Sequence, residues 1–185
     1  MQTIETRIPD VKIIAPKRHG DKRGWFSETF REDWFCENIA NIAFVQDNHS
    51  RSAEKGTLRG LHFQDPPHGQ AKLVRCVAGS IWDVAVDIRQ GSPSYGKWAA
   101  AELNAENGQQ LYIPVGFAHG FITLSLDTEV AYKCSDYYVP ECDCGIAWND
   151  PALALPWPLP ANGPTLSAKD QRHPTLADLD NPFTA

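Results

Sequence analysis

The chain has 185 residues, 42% hydrophobic and 22% charged, with a formal net charge of −6 at pH 7. That is enough chain to bury a core, too apolar for a disordered segment and too acidic for a nucleic-acid coat. No apolar run approaches the roughly 18 residues of a membrane span, and 12 of the 17 cations fall in the first 75 residues, which leaves room for a local anion site.

From the N-terminus, Met1–Asp10 lacks the basic and then apolar layout of a secretory leader. Residues Glu28–Ile42 place Phe30, Trp34, Ile39 and Ile42 near helical spacing, with Asp33 and Glu37 on the wetter side, and predict a helix. The pattern then turns to strand. Lys72–Val77 and Ile81–Ile88 are rich in Val, Ile and Trp, with Ala78-Gly79-Ser80 as a hairpin turn. Period-2 alternation puts Trp82, Val84, Val86 and Ile88 on one face and Asp83, Ala85 and Asp87 on the other. Further strands are predicted over Lys97–Leu103, Gln109–Ile113, Gly120–Leu124 and Glu129–Cys134, punctuated by Gly91-Ser92-Pro93 and Asn107-Gly108. From Pro151 the chain is Pro-rich and is expected to wrap the surface. Residues 1–185 thus read as one mainly β domain, a sandwich or barrel with few helical residues.

Five cysteines, Cys36, Cys76, Cys134, Cys142 and Cys144, are an odd number in a chain larger than disulfide-stapled domains. Free thiols and a cytoplasmic location are expected. Cys142 and Cys144 form a C-x-C pair with no second pair at zinc-ribbon spacing. Within the strands, Arg59, His62, Gln64, Lys72, Arg75, Asp83, His119 and Tyr132 are candidates to point inward, as polar groups do where a barrel encloses a ligand.

Gly108-x5-Pro114-x-Gly116-x2-His119 resembles the second signature of the cupin superfamily, whose jelly-roll barrels hold ligands inside. It departs at Thr123, where the signature has Asn. Gly56-x5-His62 resembles the first signature, but Gln64 replaces its second His and no Glu follows at ligand spacing. A first-row metal needs three or four converging N, O or S ligands, and only His62 and His119 remain of that set. The expectation is a barrel without a metal, with His62 free to act as a base.

The motifs Gly24-Trp25-Phe26-Ser27-Glu28, Val45-Gln46-Asp47-Asn48-His49-Ser50 and Leu58-Arg59-Gly60-Leu61-His62-Phe63-Gln64 stand in order. Lys72-Leu73-Val74-Arg75-Cys76, Asp83–Arg89, Ile113–Phe121, Tyr132-Lys133-Cys134, Trp148–Pro151 and Leu166-Ser167-Ala168-Lys169-Asp170 follow. Together they resemble the dTDP-4-dehydrorhamnose 3,5-epimerase family, over about Asp10 to Pro174. The resemblance implies a cofactor-independent, homodimeric cupin-type jelly roll. Its substrate would be a dTDP-4-keto-6-deoxyhexose, dTDP-4-dehydro-6-deoxy-D-glucose, inverted at C3 and C5 in dTDP-rhamnose biosynthesis. It also implies His62 as base, Asp170 as its carboxylate partner, Tyr132 as the opposite-face proton donor and Lys72 at the enolate oxygen. Arg23, Glu28, Gln46, Asp47, Asn48, Arg59, His119 and Lys169 match nucleotide-contacting positions, and Phe26 and Tyr138 would stack on or line the thymine. Asp143 stands where the family usually has Glu, one methylene longer. Three alternatives stay open: a relative that inverts one carbon, a non-catalytic sugar-nucleotide binder, and a metal cupin.

Overall fold

Two antiparallel sheets face each other and a short hairpin stands apart. The computed structural model describes residues 1–184. In chain order the elements are β1 (Gln2–Glu5), β2 (Lys12–Ala15), β3 (Arg18–Asp21), β4 (Gly24–Ser27), α1 (Glu32–Asn38), β5 (Gln46–Ser52) and β6 (Leu58–Gln64). There follow β7 (Lys72–Ala78), β8 (Ser80–Asp87), β9 (Trp98–Asn104), β10 (Gln110–Ile113), β11 (Phe117–Thr123), β12 (Thr128–Cys134) and β13 (Asp143–Gly145). One sheet runs β1-β2-β10-β7-β12-β5, the other β13-β6-β11-β8-β9, and β3 pairs only with β4. This is the mainly β, cupin-type jelly roll that the strand pattern and signatures predict.

The space between the sheets is apolar at one end. Val74, Cys76, Leu111, Ile113 and Val130 of the first sheet pack with Ile81, Ala85, Leu103, Phe117 and Phe121 of the second. The outer face of the second sheet is buried as well. Leu58, Leu61, Phe63, Val84, Val86 and Ile88 are covered by Leu153, Trp157, Leu176 and Phe183 of the Pro-rich tail. The tail therefore wraps the surface as expected, and it is stitched down by backbone bonds from Leu58 to Thr165 and from Ala147 to Pro174. Fully burying a side chain of this size contributes roughly 1.5–3 kcal/mol, so the wrap belongs to the core of the fold. The two predicted faces of the Ile81–Ile88 strand are as observed, Ile81 and Ala85 facing the first sheet and Val84, Val86 and Ile88 the tail.

The helix is shorter than predicted. Only Glu32–Asn38 is helical, because Arg31 is extended (φ −147°) and Ile39 has left the helical region (ψ −68° with φ −120°). Phe30, Ile39 and Ile42 pack beside the buried Phe35 from irregular segments on either side, forming a cap over Leu73, Tyr112 and Ile14. Their spacing reflected a common destination, not a common helix. Strands β1 to β5 escaped prediction because several are polar: β5 reads Gln-Asp-Asn-His-Ser-Arg-Ser.

Candidate active site

Strict alternation along β6 would send Arg59 and His62 to opposite faces. Between them the pairing with β11 slips: Arg59 pairs with Phe121 and His62 with His119, so that Gly60 and Leu61 of β6 stand opposite Gly120 of β11. This bulge returns both side chains to the inner face. Gly60 carries it, at φ +133°, and a Cβ there would lie 2.5 Å from the Gly120 Cα. The strands can approach this closely only through two glycines.

The bulge opens the inner space into a cavity of about 260 Å³, lined by Ser50, Arg59, His62, Lys72, His119, Phe121, Tyr132, Asp143, Ser167, Lys169 and Asp170. An adjoining space of about 170 Å³ adds Gln46, Asn48, Gln64 and Tyr138. His62 Nε2 lies 2.5 Å from Asp170 Oδ1, and Asp170 is 4% exposed. The Ser167 hydroxyl donates to the second carboxylate oxygen at 2.7 Å. Burial raises the Asp170 carboxyl, but these hydrogen bonds outweigh it and hold it below the usual carboxylate range. With Nε2 engaged by a carboxylate, Nδ1 is the His62 ring nitrogen left outside that contact.

Lys72 is buried, and among the described residues the one hydrogen bond of its ammonium is a 3.4 Å contact to the His62 carbonyl. Burial pulls its ammonium down, against Cys134, Asp143 and Asp83, which favour the charge. An ammonium carries three donors, so most of its capacity is unspent. Burial pushes the Tyr132 phenol up, keeping it protonated. His119 Nε2 meets the fully buried Asp83 at 2.7 Å, and burial lowers its imidazole against the pull of that carboxylate. At the rim, Asp143 is held by Lys169 at 2.5 Å and by the Tyr138 hydroxyl at 2.9 Å.

Most candidates from the sequence converge here: His62, Lys72, Tyr132, Asp170, Arg59, His119, Asp143 and Lys169 line one cavity, with Gln46, Asn48 and Tyr138 beside it. Four do not. Asp47 alternates to the opposite face of β5 and pairs with Lys133 at 2.9 Å. Arg23, Phe26 and Glu28 belong to the exposed hairpin and the segment after it; Arg23 bonds to Asp21 and Phe26 is 72% exposed. Arg75, expected inward, faces out for the same reason as Asp47, since it alternates with the buried Val74 and Cys76 and lines an outer groove with Phe30 and His49. That groove is larger, about 480 Å³, but its ion pairs, Lys133–Asp47 and His49–Glu129, are exposed surface pairs.

Gln64, at the position of the missing cupin ligand, spends its amide on the loops. It donates to the carbonyls of His68 and Tyr137 and accepts from Val139 N. The C-x-C pair is likewise a brace: Cys144 donates to Asp65 at 3.2 Å and the Cys142 carbonyl accepts from Asp65 N. Sequence reasoning passed over Ser167, although its place three residues before Asp170 is a turn-forming spacing that brings a hydroxyl onto the carboxylate.

The family model for dTDP-4-dehydrorhamnose 3,5-epimerase matches residues 5–178. The chain belongs to this family. It is an isomerase family, and its curated member from Sinorhizobium fredii is 53% identical over 176 residues, 95% of this chain and 90% of the relative. The crystal structure of the dTDP-6-deoxy-D-glucose-3,5-epimerase of Legionella pneumophila in complex with dTDP-4-keto-L-rhamnose superposes with a TM-score of 0.93. It is 48% identical, over 97% of this chain and 94% of that one. A 3'-monoepimerase from Streptomyces bikiniensis in complex with dTDP-quinovose is more distant, at TM-score 0.86 and 35% identity over 94% of this chain and 87% of that one. Among the described residues, no helix of this epimerase is long and apolar enough to cross a membrane.

Proposed function

We propose that the chain converts dTDP-4-dehydro-6-deoxy-D-glucose to dTDP-4-dehydro-L-rhamnose by removing and returning a proton at C3 and at C5. The observation that carries this reading is the 2.5 Å contact between His62 and the buried Asp170 in the wall of the cavity. Both carbons flank the C4 ketone, which acidifies their C–H bonds. In each half-reaction His62 Nδ1 takes the proton while the electron pair moves onto the C4 oxygen as an enolate. Asp170 holds the Nε2 proton and stabilises the imidazolium. Tyr132, kept protonated by burial, returns a proton to the opposite face, and solvent restores both groups. The unspent donors of Lys72 offset the enolate charge. The scheme needs no metal or cofactor, since the ketone supplies the acidity and Lys72 the counter-charge.

Arg59, Asn48, Lys169, Tyr138, Asp143, Gln46 and His119 are assigned to the nucleotide and sugar. Asp143 meets Lys169 and Tyr138 instead of reaching deep, which suits its shorter side chain to a rim contact. Arg23, Phe26 and Glu28 fit the same role only if they come from a second copy. Their exposure and the 58% exposure of Trp25 support a homodimer in which each hairpin completes the partner's site. The enzyme is taken to work as one cytoplasmic domain over its whole length.

The test is proton NMR of the substrate with the metal-free protein in D2O. Exchange at C3 and C5 is expected. Exchange at C3 alone would select a one-carbon epimerase, and none at either carbon would overturn the enzyme reading.

A further inference from the structure

Behind Asp170 stands a second imidazole that the scheme above leaves unused. His173 lies with Nε2 3.9 Å from Asp170 Oδ1, and its side chain is 9% exposed. Its Nε2 atom is buried and has no hydrogen-bond partner among the described residues, an unusual and unfavourable state for a polar atom. The ring is seated where Gly145 has no side chain: a Cβ there would lie 2.6 Å from Cε1 and 2.7 Å from Nε2 of His173. The rings of His62 and His173 meet edge to face, their centroids 5.6 Å apart. One ligand atom each from His62, Asp170 and His173 lies within 4.8 Å of the others, and among the described residues this is the one His, Cys, Asp and Glu group so arranged.

We propose that His62, Asp170 and His173 form a capture site for a borderline divalent metal ion of zinc type, and that its occupation switches the epimerase off. Two imidazoles and a carboxylate are a donor set that suits zinc, and a fourth position stays open to water. Tetrahedral zinc at its usual bond lengths holds its ligand atoms roughly 3.3–3.4 Å apart. The 2.5 Å and 3.9 Å separations from Asp170 bracket that spacing, and the two imidazole nitrogens, within 4.8 Å of each other, close by at most about 1.4 Å. The orphaned His173 nitrogen gains the partner it lacks. The site lies between two spaces, since His62 borders the catalytic cavity and His173 an outer pocket with Arg172 and Leu179. The adjacent Lys169 cation is already paired with Asp143 at 2.5 Å.

The switch follows from imidazole chemistry and rests on His62 Nδ1 being the base. A neutral imidazole has one lone pair in the ring plane. In the active form Nε2 carries the proton and Nδ1 the lone pair. Metal binding takes the Nε2 lone pair, so the single proton moves to Nδ1 and no net proton is lost. The nitrogen facing the substrate then has nothing with which to accept a proton. Turnover stops although the nucleotide contacts are untouched.

The test titrates the substrate-free protein with zinc chloride by calorimetry, and with cobalt chloride as a visible-absorption probe. One equivalent should bind, with the intense ligand-field bands of tetrahedral cobalt. Zinc should abolish turnover while dTDP binds as before, and EDTA should restore activity. His173→Phe keeps the ring but removes the ligand nitrogen, and His173→Asn serves as a second variant should the first disturb packing. Either should stay active and lose at least about tenfold in zinc affinity. Zinc inhibition of equal potency in both variants, or no zinc binding to the parent chain, would overturn the site. Zinc bound at one equivalent with turnover intact would overturn the switch and the Nδ1 assignment together. Absent turnover in metal-free protein that still binds zinc would count against the epimerase reading alone.

Discussion

At the scale of single residues, the site depends on His62 and a carboxylate 108 positions further along the chain. In the proposed mechanism Asp170 does two things for His62: it fixes which nitrogen holds the proton, and it supplies the charge that an imidazolium needs. Asp170→Asn keeps the shape and loses both. Turnover should fall by roughly 10²–10⁴-fold, with dTDP binding measured by calorimetry unchanged; near-normal turnover would remove Asp170 from the mechanism. The same substitution has a stability signature. Because the native Asp170 carboxyl titrates below its ordinary value, its contribution to folding is present above the carboxylate range and is lost as pH falls through it. Urea denaturation from pH 7 down to pH 3 should therefore show a shallower acid decline for Asp170→Asn than for the parent chain.

At the scale of elements, the β6 bulge decides which side chains face the cavity. Gly60→Ala would set a Cβ 2.5 Å from the Gly120 Cα and 2.9 Å from the His119 carbonyl oxygen, with φ at +133°. Those atoms are backbone and cannot swing aside. The expected cost is about 1–3 kcal/mol, read as a lower thermal midpoint, together with a loss of turnover larger than any unfolded fraction explains. A variant with both unchanged would show that the bulge does not position His62. The same strands mark what could be read from sequence. The Ile81–Ile88 strand declared its faces because Val84, Val86 and Ile88, packed under the tail, alternate with Asp83, Ala85 and Asp87. β5 was hidden because its inner face, Gln46, Asn48, Ser50 and Ser52, is dressed for a ligand and its outer face for water. Asp47 was misplaced for a related reason: a three-residue motif on a strand cannot send all of its side chains one way. The convergence of His62, Lys72, Tyr132 and Asp170 was legible only through ordered motifs, since no local spacing foretells a contact across more than a hundred residues.

At the scale of the whole molecule, the open question of the hairpin becomes an experiment. Mix subunits of His62→Ala, which lack the base, with subunits carrying Arg23→Glu and Phe26→Ala, which lack the hairpin contacts. If hairpins are exchanged, each heterodimer has one intact site, so random pairing should restore about a quarter of the parental activity. A mixture no more active than the hairpin variant alone would mean that each copy completes its own site.

The tail that covers the second sheet also delivers Ser167 and Asp170 to His62. On the proposed mechanism, proton transfer is therefore a late competence of the growing chain. Every strand, from β1 to β13, is translated before the carboxylate that arms the base. On the proposed mechanism a copy clipped ahead of Ser167 lacks that carboxylate and should turn over the ketosugar far more slowly, whatever its barrel has done.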